Sequence, residues 1–386
     1  MTTSVSVSVP VNPADTTQHP ARAHHANLVP VFDGHNDVLL RLYRSGQDGI
    51  DRFFTRLDGG HIDLPRCRQG GLAGGFFAVF VPAPGSEASA PLAPATGSGP
   101  QQASIPGFPE GVLPPPLDPA YAQRAAISIC ALLFRLEDRS EGRVKVVRSV
   151  GELSDCLQNG VVAAILHFEG AEPIDPNLDA LEVFYRAGLR SLGIVWSRPN
   201  AFAEGVPFKF PHSPDTGPGL TEAGRRLVRE CNRLGIMIDL SHLNERGFWD
   251  VARLSTAPLV ATHSNAHALC PSTRNLTDRQ LDAIKESGGM VGVNFGVGFL
   301  REDGGRDPRT LLEVLVRHID YLVERMGIEH VGFGSDFDGA TMPYDLSDVA
   351  CLPNLISTLR AHGYDEPALH KLAYQNWLRV LGRTWR

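Results

Sequence analysis

With 386 residues, 42% of them apolar and 20% charged, the chain can build one large core and does not read as intrinsically disordered. A net charge of -7 at pH 7 gives no electrostatic footing for nucleic acid or an anionic membrane surface, and neither is expected as a partner. No run of about 18 apolar residues occurs, so no transmembrane helix is expected.

The first residues, MTTSVSVSVPVNPADTTQHPARAHHANLVP, lack a basic start followed by an apolar run and so do not read as a secretory signal. Their Ser, Thr and Pro content predicts a disordered tail over 1–26, followed by one domain over 27–386. Six cysteines (Cys67, Cys130, Cys156, Cys231, Cys270 and Cys351) form no CxxC pair. They read as free thiols in a reducing compartment, and a cytoplasmic location is expected.

Eight short apolar, β-branched-rich runs follow in chain order, at 31–33, 75–81, 161–167, 191–195, 237–240, 259–262, 290–294 and 331–334. Continuous apolar runs without alternation suit strands buried on both faces of a parallel sheet. Helical patterns lie between them, at 119–136, 178–187, 221–234, 244–254, 277–287, 308–326, 347–361 and 366–381. Gly188 and Gly235 stand where helices stop, and Thr221 stands where one begins. The alternation predicts an α/β fold of the (β/α)8 TIM-barrel type. The alternative is an open doubly wound sheet, but no GxGxxG follows the first strand to support a dinucleotide site. A Pro/Gly/Ala-rich insertion at 82–116 interrupts the rhythm, as either a flexible segment or a lid or dimer contact.

Ligand-capable side chains gather at the predicted strand ends. The first strand runs into Asp33-Gly34-His35-Asn36-Asp37, and others end at His167-Phe168-Glu169, Asp239-Leu240-Ser241-His242, Thr262-His263 and Ser335-Asp336-Phe337-Asp338. The His-x-Asp spacing puts both side chains on one side of an extended segment. A barrel brings all these ends to one face. Imidazole with carboxylate suits zinc, and less selectively manganese, iron or cobalt. The donors exceed what one tetrahedral ion takes, which points to two metals and a bridging carboxylate. Asp33, His167, Asp239 and Asp338 are either ligand-orienting partners or point elsewhere. His61 is expected at the opposite end of the barrel, and His24 and His25 fall in the tail. Arg274 is either a clamp for a substrate carboxylate or a surface arginine.

These segments resemble the membrane dipeptidase (renal dipeptidase) family of dizinc peptidases. The resemblance rests on DGHND at 33–37, FEG at 168–170, DLSH at 239–242, HSNAHALCPSTRN at 263–275, GFGSDFDG at 332–339 and NWLRVL at 376–381, with softer similarity over 61–80. It implies that His35 and Asp37 bind one zinc ion, that His242 and His263 bind a second, and that Glu169 bridges the two. It further implies that Asp336 is the acid/base beside a bridging water and that Arg274 binds the C-terminal carboxylate of a dipeptide. Some members accept a D-residue at that position, and a homodimer is implied. Where similar proteins often carry a histidine that helps bind substrate, this chain has Trp196, so substrate preference is in doubt. The family's secretory signal and lipid-anchor tail are not evident either.

The expected activity is therefore metal-dependent hydrolysis of small dipeptides by a dizinc-bridged hydroxide. The nearest alternative is a related hydrolase acting on a lactone, a cyclic amide or another carboxylate-bearing amide. A non-catalytic barrel is a more distant one, because the five ligands and Asp336 are all present.

Overall fold

The computed structural model describes residues 28–46, 49–56, 59–86 and 111–386. The expected tail over 1–26 and most of the 82–116 insertion lie outside the described residues.

Nine strands occur among the described residues: β1 (Val31–Asn36), β2 (Leu72–Val79), β3 (Val144–Val146), β4 (Val162–Glu169), β5 (Leu189–Gly193), β6 (Met237–Asp239), β7 (Val260–Ala261), β8 (Met290–Val293) and β9 (Val331–Phe333). Eight of them pair in the order β1-β2-β4-β5-β6-β7-β8-β9, every pair parallel. The ring closes just beyond β9. There Asn36 bridges Phe337, Asp37 N donates to Phe337 O at 2.8 Å, and Asp336 N donates to His35 O at 3.0 Å. With helices between the strands, this is the expected (β/α)8 barrel.

The additional strand, β3, was not expected from the sequence. It pairs with the first residues of β4, Val162 to Ala164, whereas β5 takes up pairing with β4 only from Leu166 onward. Three residues are too short a run to announce a strand by periodicity.

Helix ends follow local chemistry. The Thr221 side chain accepts from Gly224 N at the start of Glu222–Leu234, and Asn244 accepts from Gly247 N at the start of Glu245–Leu254. Four helices went unforeseen, at Val38–Arg44, Gly49–Phe54, Leu64–Gly70 and Val150–Asn159. The expected helix over 366–381 is divided into Glu366–His370, a π-helical turn at Lys371–Gln375, and Asn376–Thr384.

Period-two alternation places Phe32, Phe76, Ala163, Ile165, Met237, Val260 and Met290 in the buried barrel interior. Trp377 from the last helix plugs this interior from below. Its neighbour Asn376 donates to the carbonyls of Ile328 and Val331 at 2.7 and 2.8 Å, where β9 begins. The indole reaches in to donate to Phe333 O at 3.1 Å and stands edge-on to Phe76 at 5.2 Å. Gly34 and Gly332 make room for it, since a Cβ there would lie 2.6 and 3.0 Å from indole atoms. With the lower end filled, the inward positions next above, His167, Ser191, Asp239, Thr262 and Asn294, are polar and buried. They form the floor of the site.

Candidate active site

Six ligand-capable side chains converge above this floor, each from a strand's C-terminal end. His35 and Asp37 come from the end of β1, where the register with β2 is irregular between Asp33 and Asn36. Glu169 ends β4, and His242, His263 and Asp336 follow β6, β7 and β9. Glu169 occupies the middle. Its Oε2 lies 3.6 Å from His35 Nε2, which is 3.5 Å from Asp37 Oδ2. Its Oε1 lies 3.1 Å from His242 Nε2 and 3.8 Å from His263 Nε2. Asp336 joins His35 and His263 in a third grouping, with donor atoms within 4.8 Å of one another. His242 and Asp336 both hold left-handed backbone conformations, at φ 67° and 62°. For residues with a Cβ this is strained, and such strain concentrates at functional sites.

The buried charges of the cluster act strongly on one another. Burial alone would lower the His35 imidazole, but the Glu169, Asp37 and Asp336 carboxylates outweigh it and hold the group up to about 10. Burial raises Glu169 well above the ordinary carboxylate range. His242 and His263 are pushed well below the ordinary imidazole range, first by burial and then by the positive charges of Arg274 and His35. Asp336 is pushed up to about 6, chiefly by burial, while His35 and a hydrogen bond from Asn294 act against the rise.

Asp33, His167, Asp239 and Asp338 hold distinct positions around the cluster. Asp239 accepts from Ser241 N, Thr262 N and Thr262 Oγ1 at 2.9, 2.8 and 2.6 Å, and Thr262 Oγ1 also lies 2.8 Å from His263 Nδ1. It thereby fixes the two turns that present His242 and His263. Ser197 Oγ does the same for His242, 2.9 Å from its Nδ1. Asp33 accepts from Ser335 N and Oγ at 2.7 and 2.8 Å and ties β1 to the segment after β9. His167 lies one layer down, with its Nδ1 2.9 Å from Ser191 Oγ. Asp338 faces Arg41 at 3.1 Å. His61 corrects an expectation: it is not at the far end of the barrel. Its Nδ1 accepts from Asp338 N and its backbone N donates to Asp338 Oδ1, both at 2.7 Å, because the β1–β2 connection folds back over the upper face.

A cavity of about 370 Å³ opens above the cluster and reaches Asp37, Glu169, His242 and Asp336. Trp196 forms part of its wall, edge-on to Phe80 at 4.9 Å and to Phe208 at 5.9 Å. Arg198 braces the indole from behind, with its guanidinium 5.5 Å from the ring and paired at 3.1 Å with buried Glu172. Arg274 is buried behind Phe299, a cavity residue. Its Nη2 donates to His263 O at 3.0 Å, and its Nε has no hydrogen-bond partner. Phe80, Phe208 and Arg306 were not singled out in the sequence, because nothing local distinguishes them from core or surface residues.

Comparison with known proteins agrees with this geometry. The family model described as membrane dipeptidase (peptidase family M19) matches residues 22–385. The chain belongs to the membrane dipeptidase family. It is similar to a metallopeptidase from Rhodobacter sphaeroides whose crystal structure holds a phosphinate mimic of the dipeptide L-Ala-D-Ala. That match is 54% identical with a TM-score of 0.86, and covers 93% of this chain and 100% of the other. The crystal structure of a metallopeptidase described as dipeptidase AC is 55% identical with a TM-score of 0.85, covering 92% and 99% of the two chains. An uncharacterized Klebsiella pneumoniae protein from the pqqA 5′ region is 55% identical over 66% of this chain and 94% of its own length.

Membership in the membrane dipeptidase family makes the chain a hydrolase of the metallo-dipeptidase class, and its donors fit a metal. Both ring nitrogens of His35 and Oδ1 of Asp37 are buried without a hydrogen-bond partner. Such orphaned atoms are rare in a folded protein unless a ligand satisfies them. Imidazole and carboxylate oxygen are also the donor types that zinc takes. Despite the family name, no helix among the described residues is long and apolar enough to cross a membrane.

Proposed function

We propose that the protein hydrolyses the peptide bond of small dipeptides at a two-zinc centre. His35 and Asp37 would hold one ion, His242 and His263 the other, and Glu169 would bridge them. The observation that carries this reading is the placement of Glu169, whose two carboxylate oxygens face two separate donor groups. Metal bound there would supply Lewis acidity and a water acidified toward neutrality.

The chain's own residues supply the rest. Asp336 lies over the cavity at the edge of the donor cluster, where it can take a proton from the nucleophile and pass it to the departing amine. A carboxyl held near 6 is suited to moving a proton in both directions near neutral pH. Asn294 Nδ2 donates to Asp336 Oδ2 at 2.8 Å and leaves the other oxygen for that task. Arg274 is the proposed partner of the substrate's C-terminal carboxylate, which would limit substrates to short peptides and align the scissile bond. Trp196, with Phe80 and Phe208, gives an apolar wall for a substrate side chain. The cavity's size suits a small ligand. A D-residue at the C-terminal position is included in the proposal, on the strength of the L-Ala-D-Ala mimic held by the Rhodobacter sphaeroides relative.

The test is an assay of metal-analysed protein against L–L and L–D dipeptides, with and without chelator. Chelator-sensitive hydrolysis with about two zinc ions per chain is expected. Two bound metals without dipeptide hydrolysis would redirect the search to lactones and cyclic amides. Failure to bind metal after reconstitution would end this reading.

A further inference from the structure

Arg306 is a cation on the cavity wall that the functions assigned so far do not use. Among the described residues the wall carries three arginines. Arg198 is committed to Glu172 and to Val81 O, at 3.1 and 3.0 Å. Arg44 is not free. Arg306 differs from both: among the described residues it has no hydrogen-bond or ion-pair partner, although it is half-buried. Both Arg306 and Asp336 line this cavity. A half-buried guanidinium on a cavity wall, with its donors uncommitted to protein groups, is open to a bound anion.

Its location says which part of a substrate it would meet. The side chain lies across Gly298, where an added Cβ would come within 3.3 Å of Arg306 Cγ. The next residue, Phe299, has Arg274 against its ring, 5.4 Å from the centroid. The two arginines therefore flank one short turn, Val297–Phe299. The aromatic wall of Phe80, Trp196 and Phe208 adjoins this turn through Phe208, 6.0 Å from the Phe299 ring, and Phe80 and Trp196 continue it away from Arg306. If Arg274 takes the terminal carboxylate, the group next to it is the side chain of that same C-terminal residue.

We propose that Arg306 is a specificity-determining residue that binds a second carboxylate, on the side chain of the substrate's C-terminal residue. The preferred dipeptides then end in aspartate or glutamate. A guanidinium can grip such a side chain with two parallel hydrogen bonds, which an amide isostere cannot match. This inference rests on the dipeptidase reading and sharpens its substrate class.

The experiment compares kcat/KM for Ala-Glu and Ala-Gln, with L and D configurations at the second residue, in the metal-loaded enzyme and in Arg306→Gln and Arg306→Lys. Wild type should favour the Glu substrate by roughly 10- to 100-fold, the usual worth of a charge-assisted hydrogen bond. Arg306→Gln should bring the Glu/Gln ratio close to one, and Arg306→Lys should restore part of it, which a merely structural role would not do. A ratio near one in wild type, or a ratio unchanged in Arg306→Gln, overturns the inference while leaving dipeptide hydrolysis intact. An equal loss on both substrates in Arg306→Gln also overturns it, because that pattern belongs to a residue holding the shared terminal carboxylate. Hydrolysis of no dipeptide by the wild type would remove the dipeptidase reading and this inference with it.

Discussion

Asn294 donates a 2.8 Å hydrogen bond to Asp336, and it does so from β8's C-terminal end to the residue proposed to move the proton. The bond favours the ionised carboxylate, against the burial that pushes Asp336 up to about 6. Asp336→Asn should keep its metal yet lose turnover by about 100-fold or more. Asn294→Ala removes a stabiliser of the charged form, so Asp336 should hold its proton to higher pH. The acid side of the pH–rate profile should then move upward. An unmoved profile would separate Asn294 from the chemistry.

Glu169 links the two halves of the donor cluster, so its removal should be felt by both. Glu169→Ala should lower bound zinc toward zero by mass spectrometric or elemental analysis, whereas His242→Ala should retain about half. Zinc added to stripped wild type should raise the melting temperature, with about 4 kcal/mol of stabilisation at a thousandfold excess over Kd. If Glu169→Ala kept both ions, the bridging assignment would fail.

His318 provides a pH effect away from the donors. Burial outweighs its 2.9 Å hydrogen bond to Leu300 O and holds it at about 4, while its Nδ1 accepts from Ala266 N at 3.3 Å. An unfolded histidine titrates near 6.5, so between about 4 and 6.5 the unfolded chain binds more protons. Stability from this group is complete above 6.5 and falls as pH drops, by about 3 kcal/mol once below 4, at roughly 1.36 kcal/mol per unit. In His318→Gln, urea midpoints should fall less between pH 7 and pH 5 than they do in wild type. Equal falls would assign the loss to the site histidines.

Trp377→Ala should cost about 3–5 kcal/mol by denaturant unfolding, the range for a large aromatic lost from a core. Its indole fills the barrel between Phe32 and Phe76 with its one donor satisfied, so little nearby can collapse into the space. A loss under 1 kcal/mol would mean that the barrel interior repacks.

Much of this was legible in the sequence, for definite reasons. The runs at 161–167 and 290–294 announced β4 and β8 because both faces of such strands are apolar. His35, Glu169, His242 and His263 could be found because polar groups at the ends of apolar strands stand out. Asp239 was ambiguous because its work is done across strands, on Thr262, which no local pattern records. The same holds for Arg306, whose significance lies in having no partner. His61 was misplaced because its position depends on how a connection folds back over the barrel, and strand order does not specify that. The left-handed turns at His242, Asp336 and Asp338 were also hidden, since a positive φ is foreseen chiefly where glycine stands.

The seam between Asp33 and Ser335 spans 302 positions of sequence. During translation, Glu169, His242 and His263 therefore leave the ribosome well before the segment that closes the barrel beside His35. Until that segment emerges, β1 is paired only with β2 and its other edge stays open to chaperones or to another nascent chain. Competent metal loading on this account is a late, largely post-synthetic event. Ribosome-arrested chains that stop short of β9 should remain protease-sensitive around residues 28–46 even with zinc supplied.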